Sequence, residues 1–218
     1  MLNRPNRFYK GVIKHLLQFE SEVLYLHLDL DGIPSIGMGF RLPNKERFCK
    51  LPLIDRRSKQ TATLQQKLDE YHTISQQPQG HKASWYAQHT KLTLAPKISK
   101  ALLTRRLKHF ERVLSTLLTK QSVTGIPYKA LPTPAKTALL EMAYNIGCDA
   151  LQANFSELLT AIVQQDWQAA ATACRRHGIS PSRNEATQAL FLQCGNYPRV
   201  KLSWFELVTR RLKRLLTI

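Results

Sequence analysis

The sequence predicts an α+β protein. A small β-sheet lobe, residues 1–95, is joined by a long helix to an all-helical lobe within residues 96–218. Three observations predict it. Leu24, Leu26, Leu28 and Leu30 alternate with Tyr25, His27, Asp29 and Asp31, which is the period of a half-buried strand. From Pro96 onward the apolar positions recur at three- and four-residue spacing instead, the period of helices. A chain of 218 residues, 43% of them apolar, is also long enough to bury a real core.

The first element is a helix over Arg7 to Phe19, with Phe8, Val12, Leu16 and Phe19 on one face and Lys10, Lys14 and Gln18 elsewhere. The alternating strand follows. Asp31-Gly32 makes a tight turn, and Pro34 to Gly39 supports a return strand. Residues 43–91 are less regular, with a short helix near Thr63 to Ser75, a QQPQG punctuation at 76–80 and the aromatic pair Trp85-Tyr86. These two rings read first as a hydrophobic plug under a long loop, with stacking on sugar rings as the alternative. A long helix over 99–120 carries Leu102, Leu103, Leu107, Phe110, Leu114, Leu117 and Leu118, and it ends before the Gly125-Ile126-Pro127 breaker. The next helix begins near Pro134 and stops at Gly147. Phe155 to Gln165 and Trp167 to Arg176 read as two more, with Asp166 able to cap the second. Tyr144 and Trp167 fall at apolar spacing and read as core. Residues 184–193 are helical, and a basic amphipathic helix over 203–218 closes the chain, packing on the helical lobe in preference to a membrane.

The charge is unusual. Lys+Arg is 32 against 15 acidic residues, a formal +17, which predicts affinity for a polyanion and says nothing about fold. The basic residues concentrate in 97–112, in Arg175-Arg176 and in the last helix, and point to anionic envelope polymers. No nucleic-acid motif accompanies the charge, so nucleic acid is not an expected partner. No stretch reaches the 18 apolar residues that spanning a bilayer requires, and the N-terminus lacks the apolar core and cleavage site of a classical signal peptide. Delivery by phage lysis or by a secretion apparatus is therefore expected. Four cysteines at 49, 148, 174 and 194 show neither Cys-x-x-Cys pairing nor metal spacing; they read as free or packed thiols, with disulfides as the alternative. No metal and no cofactor is expected.

The informative segment is FESEVLYLHLDLDGIPSIGMG, residues 19–39. It puts Glu20 at the end of a helix and Asp29 nine residues later in the sheet region, a placement that lets both carboxylates face a cleft between lobes. Hydrolysis of a glycosidic bond asks for one protonated carboxyl, to protonate the departing oxygen, and one ionised carboxylate, to activate water or stabilise positive charge on the sugar. Glu22 and Asp31 compete for these roles, although Asp31 is consumed by the turn before Gly32. From spacing alone, all four acids being solvated surface groups is the stronger alternative. His27 lies on the same strand face as Asp29 and reads as a satisfied surface histidine.

The same segment resembles the phage T4-type lysozyme signature: Glu, eight residues, Asp, five residues, Thr, then Gly-x-Gly. The resemblance implies Glu20 as general acid and Asp29 as second carboxylate, with Ser35 at the position of the Thr that helps hold the nucleophilic water. Gly32, Gly37 and Gly39 fall on the turn and strand glycines. Ser35 keeps the hydroxyl, whereas Phe40 stands where the family usually has His, which alters the cleft floor. A second block, residues 131–186, is similar to the family's C-terminal lobe through Ala138-Leu139, Met142, Asn145-x-Gly147, Phe155, Leu158, Trp167 and Ala169-Ala170. There Arg183 matches the arginine that pairs with the catalytic glutamate in the family. Gly37, Gly39, Phe40 and Arg183 are thereby implied as substrate-binding residues.

The implied fold is lysozyme-like, and the implied activity is a muramidase cutting the β-1,4 bond between N-acetylmuramic acid and N-acetylglucosamine, with inversion. Two rivals stand beside it. A lytic transglycosylase also uses a single glutamate, but retention of Asp29 and Ser35 argues against it; a catalytically silent wall-binding or structural module is the other. A phage endolysin and a secreted antibacterial toxin would share the site. In the second case a larger effector and a cognate immunity protein are the expected partners.

Overall fold

The computed structural model of the chain describes residues 6–121 and 126–200. The closing basic helix expected over 203–218 lies outside the described residues. The architecture is mixed α+β, with a small sheet region and a larger helical region. It comprises two compact units, residues 1–105 and 106–218.

In the first unit, α1 spans Arg7–Leu16, and Asn6 caps it by accepting the N–H of Phe8 at 2.8 Å. It buries Tyr9, Val12, Ile13 and Leu16, and it ends three residues short of the expected Phe19. Three strands follow in the order β1 (Val23–Leu28), β2 (Pro34–Gly37) and β3 (Phe40–Arg41), all antiparallel. The return strand is thus two short strands with a turn at Met38-Gly39.

The segment between β3 and the long helix folds into a second layer. It contains α2 (Lys45–Cys49), β4 (Leu53–Asp55), α3 (Leu64–Ser75), α4 (Ala83–Tyr86) and β5 (Leu92–Leu94). Thr63 starts α3 with a capping box in which its hydroxyl accepts the N–H of Gln66 and the Gln66 side chain accepts the N–H of Thr63. β4 and β5 pair antiparallel as a separate ribbon. Both α3 and α4 pack on β1, as does β5. Leu26, Leu28, Ile36, Leu42, Phe48, Leu53, Ile74, Tyr86, Leu92 and Leu94 form one core, with Phe40, Trp85, Ile98 and Leu102 against its margin. At roughly 1.5–3 kcal/mol for each large apolar side chain buried, this core is the main reason the unit holds together.

That second layer corrects one expectation. His27 is buried, not at the surface, because β1 is covered on both sides and its pairing register shifts between Val23 and His27, so Leu26, His27 and Leu28 are all enclosed. Leu30, the last leucine of the alternation, instead sits in the turn beyond β1 and is almost fully exposed.

The long helix α5 spans Pro96–Gln121. The second unit contains α6 (Thr133–Ile146), α7 (Cys148–Asn154), α8 (Ser156–Gln164), α9 (Trp167–Ala173) and α10 (Pro181–Gln193). α6 is buried almost all round, as its Ala/Leu-rich sequence requires, and α10 packs on it and on α9. It stops at Gly147, whose φ of 83° lies in the region only glycine enters freely, and α7 starts at the next residue. Asp166 caps α9 by accepting the N–H of Ala169 at 3.0 Å. Tyr144 is buried, but Trp167 is only half-buried and is not a core residue. All four cysteines are free thiols, and burial pushes Cys148, Cys174 and Cys194 up to about 11, so they serve as packing groups.

Candidate active site

After Leu16 the chain makes one further turn, in which the N–H groups of Phe19 and Glu20 both bond the Leu16 carbonyl at 3.0 Å. Glu20 therefore leaves α1 at its C-terminal rim with a half-buried side chain, and β1 begins at Val23. Glu22, the competing acid, is also half-buried.

Asp29 opens the turn beyond β1. The Asp29 carbonyl accepts the N–H of Gly32 at 3.0 Å, and the Asp29 N–H donates to Ile33 O at 3.0 Å. Gly32 closes the turn with φ 73°. The carboxylate is held on both sides. Its Oδ1 accepts the N–H groups of Asp31 and Ile33, each at 3.0 Å, which makes the side chain part of the turn. Its Oδ2 accepts Arg41 Nε at 2.7 Å and lies 3.3 Å from the Ser35 hydroxyl, which also reaches Ile33 O at 3.2 Å.

The sheet explains why these groups meet. Its register sets His27 opposite Ser35 and Ser35 opposite Arg41, and cross-strand partners share a face. A histidine, a hydroxyl and a guanidinium therefore lie in one row beside Asp29. Arg41 also donates to Asp31, and its bonds to Asp31 and Asp29 hold the guanidinium more firmly protonated than usual. His27 keeps a contact from Nδ1 to Tyr25 O at 3.3 Å, and burial lowers its affinity for a proton. Burial lowers the His27 proton affinity against the opposing pull of the Tyr25 carbonyl and Asp29, while the Asp29 carboxylate is fixed.

Gly37, Gly39 and Phe40, which the resemblance names as substrate-binding, also shape the backbone and the packing of the segment. Gly37 adopts φ 67°, and a Cβ there would come within 2.9 Å of Ser99 Oγ on α5, so β2 can approach that helix only with glycine. Gly39 turns the chain into β3 with φ 61°. Phe40 packs partly buried against the core.

In the second unit Arg183 belongs to a buried polar cluster centred on Glu141 of α6. Glu141 has no solvent exposure, and its Oε1 accepts Arg183 Nε at 2.6 Å and Arg176 Nη1 at 3.1 Å. Its Oε2 lies 2.7 Å from Arg176 Nη2 and accepts the Thr187 hydroxyl at 3.0 Å. Arg176 Nη1 donates to Asn145 as well, and Asn184 clasps the Arg176 backbone at both its N–H and its carbonyl. Arg176 is thus a buried structural cation and not part of a solvated basic surface.

The match to known proteins falls on this unit and its approach. Residues 72–190, more than half of the chain, match the family described as phage lysozyme. The chain belongs to the phage lysozyme family. No curated protein matches it. The phage lysozyme match includes the whole Glu141 cluster and leaves residues 20–41 outside. Among the described residues, no group of three or more His, Cys, Asp or Glu is arranged to hold a metal ion, and no helix is long and apolar enough to cross a membrane.

Two arrangements were not foreseen from the sequence. Arg41 stands directly after Phe40, and only the β2–β3 register shows that it faces Asp29. Glu141, inside α6, and Arg176, in the connection between α9 and α10, sit 35 positions apart, and nothing local in the sequence marks them as partners.

Proposed function

We propose that this phage lysozyme family member is a muramidase that hydrolyses the β-1,4 bond between N-acetylmuramic acid and N-acetylglucosamine in peptidoglycan. The observation that carries the proposal is the fixed Asp29 carboxylate, bonded by two backbone N–H groups and Arg41 and adjoining the Ser35 hydroxyl, in a turn whose chain enters from Glu20 at the rim of α1. Such a carboxylate needs no reorganisation at the moment of reaction, which is what electrostatic preorganisation requires.

In this reading Glu20 gives its proton to the glycosidic oxygen as the bond from that oxygen to C1 breaks. A water adds to C1 from the opposite face, and its proton passes toward Asp29. Asp29 Oδ2 is already engaged by Arg41, so Ser35 completes the water's seat with the oxygen lone pairs its own donation leaves available. Attack by water from the opposite face inverts the anomeric centre. Arg183, Gly37, Gly39 and Phe40 enter as saccharide-binding residues on the strength of the family resemblance.

The proposed substrate is the glycan strand of the bacterial wall, reached in the periplasm or from outside, and the +17 charge would draw the protein to anionic envelope polymers. The test is the chemistry of the product ends. Purified peptidoglycan digested by the protein should yield muropeptides with reducing muramic ends, formed initially as the α-anomer. Anhydro-muramic ends would replace the hydrolase with a transglycosylase, and no release of muropeptides would leave a binding module.

A further inference from the structure

The segment between β3 and β5 does more than cover the sheet, because its QQPQG stretch reaches the turn that carries Asp29. Were Gly32 to bear a Cβ, that atom would fall 2.4 Å from both Cδ and Nε2 of Gln79 and 2.7 Å from its Oε1. The Gln79 amide therefore lies broadside on the Cα of Gly32, three residues from Asp29. We propose that this amide is a saccharide-contacting group which positions the glycan beside the Asp29 turn, a role that rests on the muramidase reading.

The loop that carries Gln79 is tied down on both sides. At its start, Gln77 N–H donates to Ile74 O and Gln77 Nε2 donates to Thr73 O, both at 3.0 Å, which fastens the exit from α3. The hydroxyl of Tyr86, a ring without solvent exposure, donates to Pro78 O at 2.8 Å, one residue before Gln79. Beyond Gly80, which turns the chain with φ 83°, the His81 ring stacks on Trp85 at 4.1 Å and 11°. The aromatic pair is thus the anchor of this loop, and the loop holds Gln79 in place.

What the amide leaves unspent points to its ligand. Gln79 is exposed and makes no hydrogen bond to any described residue, so both N–H donors and the carbonyl acceptor are available. A planar group with two donors and an acceptor side by side matches the acetamido group of an N-acetylated sugar, which offers one N–H and one C=O. Holding such a group on a fastened loop lowers the ordering cost of binding. The chemical class recognised is therefore an N-acetylhexosamine residue next to the bond being cut.

The experiment compares wild type, Gln79→Ala and Gln76→Ala, the last an exposed residue that closes α3. KM and kcat are measured on solubilised peptidoglycan strands. In parallel, each variant is made in a Glu20→Gln background, and binding of a peptidoglycan tetrasaccharide of alternating N-acetylglucosamine and N-acetylmuramic acid is measured by calorimetry. Loss of one neutral hydrogen bond predicts a KM and a Kd raised about three- to tenfold for Gln79→Ala, with kcat and Tm unchanged and Gln76→Ala like wild type. Unchanged KM and Kd in Gln79→Ala overturn the role of Gln79 and leave the muramidase reading standing if the wild type cleaves. Weakened tetrasaccharide binding in a protein that cleaves nothing keeps Gln79 and removes the hydrolase. A wild type that neither binds nor cleaves removes both.

Discussion

In each unit of this molecule arginine holds a buried or half-buried carboxylate, Asp29 in the first and Glu141 in the second, and the two do opposite things. Asp29 sits in a turn with its side chain 20% exposed, bonded by a half-exposed Arg41 and the backbone of its own loop. Glu141 sits in the middle of α6 with no exposure, clamped by two arginines that are themselves buried. The difference teaches what an arginine partner is for. Where water reaches the pair, the guanidinium fixes orientation and leaves the carboxylate at a surface that a substrate can meet. Where water is absent, the pair ties α6 to the chain entering and forming α10, and its members are useful only together, because each alone is an uncompensated buried charge.

The sharpest way to break this contrast is to remove each acid. Asp29→Asn should lower the rate of peptidoglycan hydrolysis by about 10²–10⁴-fold with little change in Tm, as measured by turnover and thermal melts. Glu141→Ala should do the reverse first. It leaves Arg176 and Arg183 buried beside an empty site, and urea denaturation should show a loss of about 3–5 kcal/mol, with activity falling through the fold and through the loosened Arg183. Equal stability losses in the two variants would end the distinction.

Smaller effects sharpen it. Ser35→Ala removes a hydroxyl placed against a charged oxygen, so activity should fall roughly 10- to 100-fold while Ser35→Thr keeps most of it. Arg41→Gln should cost no more than about 1 kcal/mol, and raising the salt should shrink the difference from wild type. The smallest effect is one of pH. Glu70 of α3 is buried and accepts the N–H groups of Lys91 and Leu92; burial raises its proton affinity above that of an exposed carboxyl. The native state then holds that proton more tightly than the unfolded chain does. Its contribution is complete below the unfolded value and is lost as pH rises through the folded one, so Glu70→Gln should flatten this decline in urea titrations. Asp55 has the opposite sign. The Ser58 N–H and hydroxyl and the Arg57 N–H lower its proton affinity, so its contribution is lost as pH falls.

How much of this was legible in the sequence follows the range of the interactions. The Asp166 cap, the stop at Gly147 and the tight turn at Asp31-Gly32 could all be read, because each is decided within four residues, whereas the helix near Thr63 was read without its capping box. The α+β class and the order of the main helices followed from periodicity. What escaped was non-local. The β4–β5 ribbon pairs Leu53 with Leu94 through strands of three residues, too short for any period to show. Leu26, His27 and Leu28 are all enclosed, so this end of β1 lacks the polar face that alternation implied. α7 is only seven residues long, and nothing in its composition separates it from a connection. For the candidate site, Glu20, Asp29 and Ser35 were named by the family resemblance, since spacing alone favoured solvated acids, whereas Arg41 depended on register and Gln79 on where a distant loop comes to rest.

The central claim is that Glu20, and not its neighbour Glu22, supplies the proton. The direct test is to digest purified peptidoglycan with wild type, Glu20→Gln and Glu22→Gln and to count reducing muramic ends released over time. The account predicts release by wild type and Glu22→Gln and none above background from Glu20→Gln, with all three proteins equally folded. Release by Glu20→Gln at the wild-type rate, or its loss in Glu22→Gln alone, would contradict it.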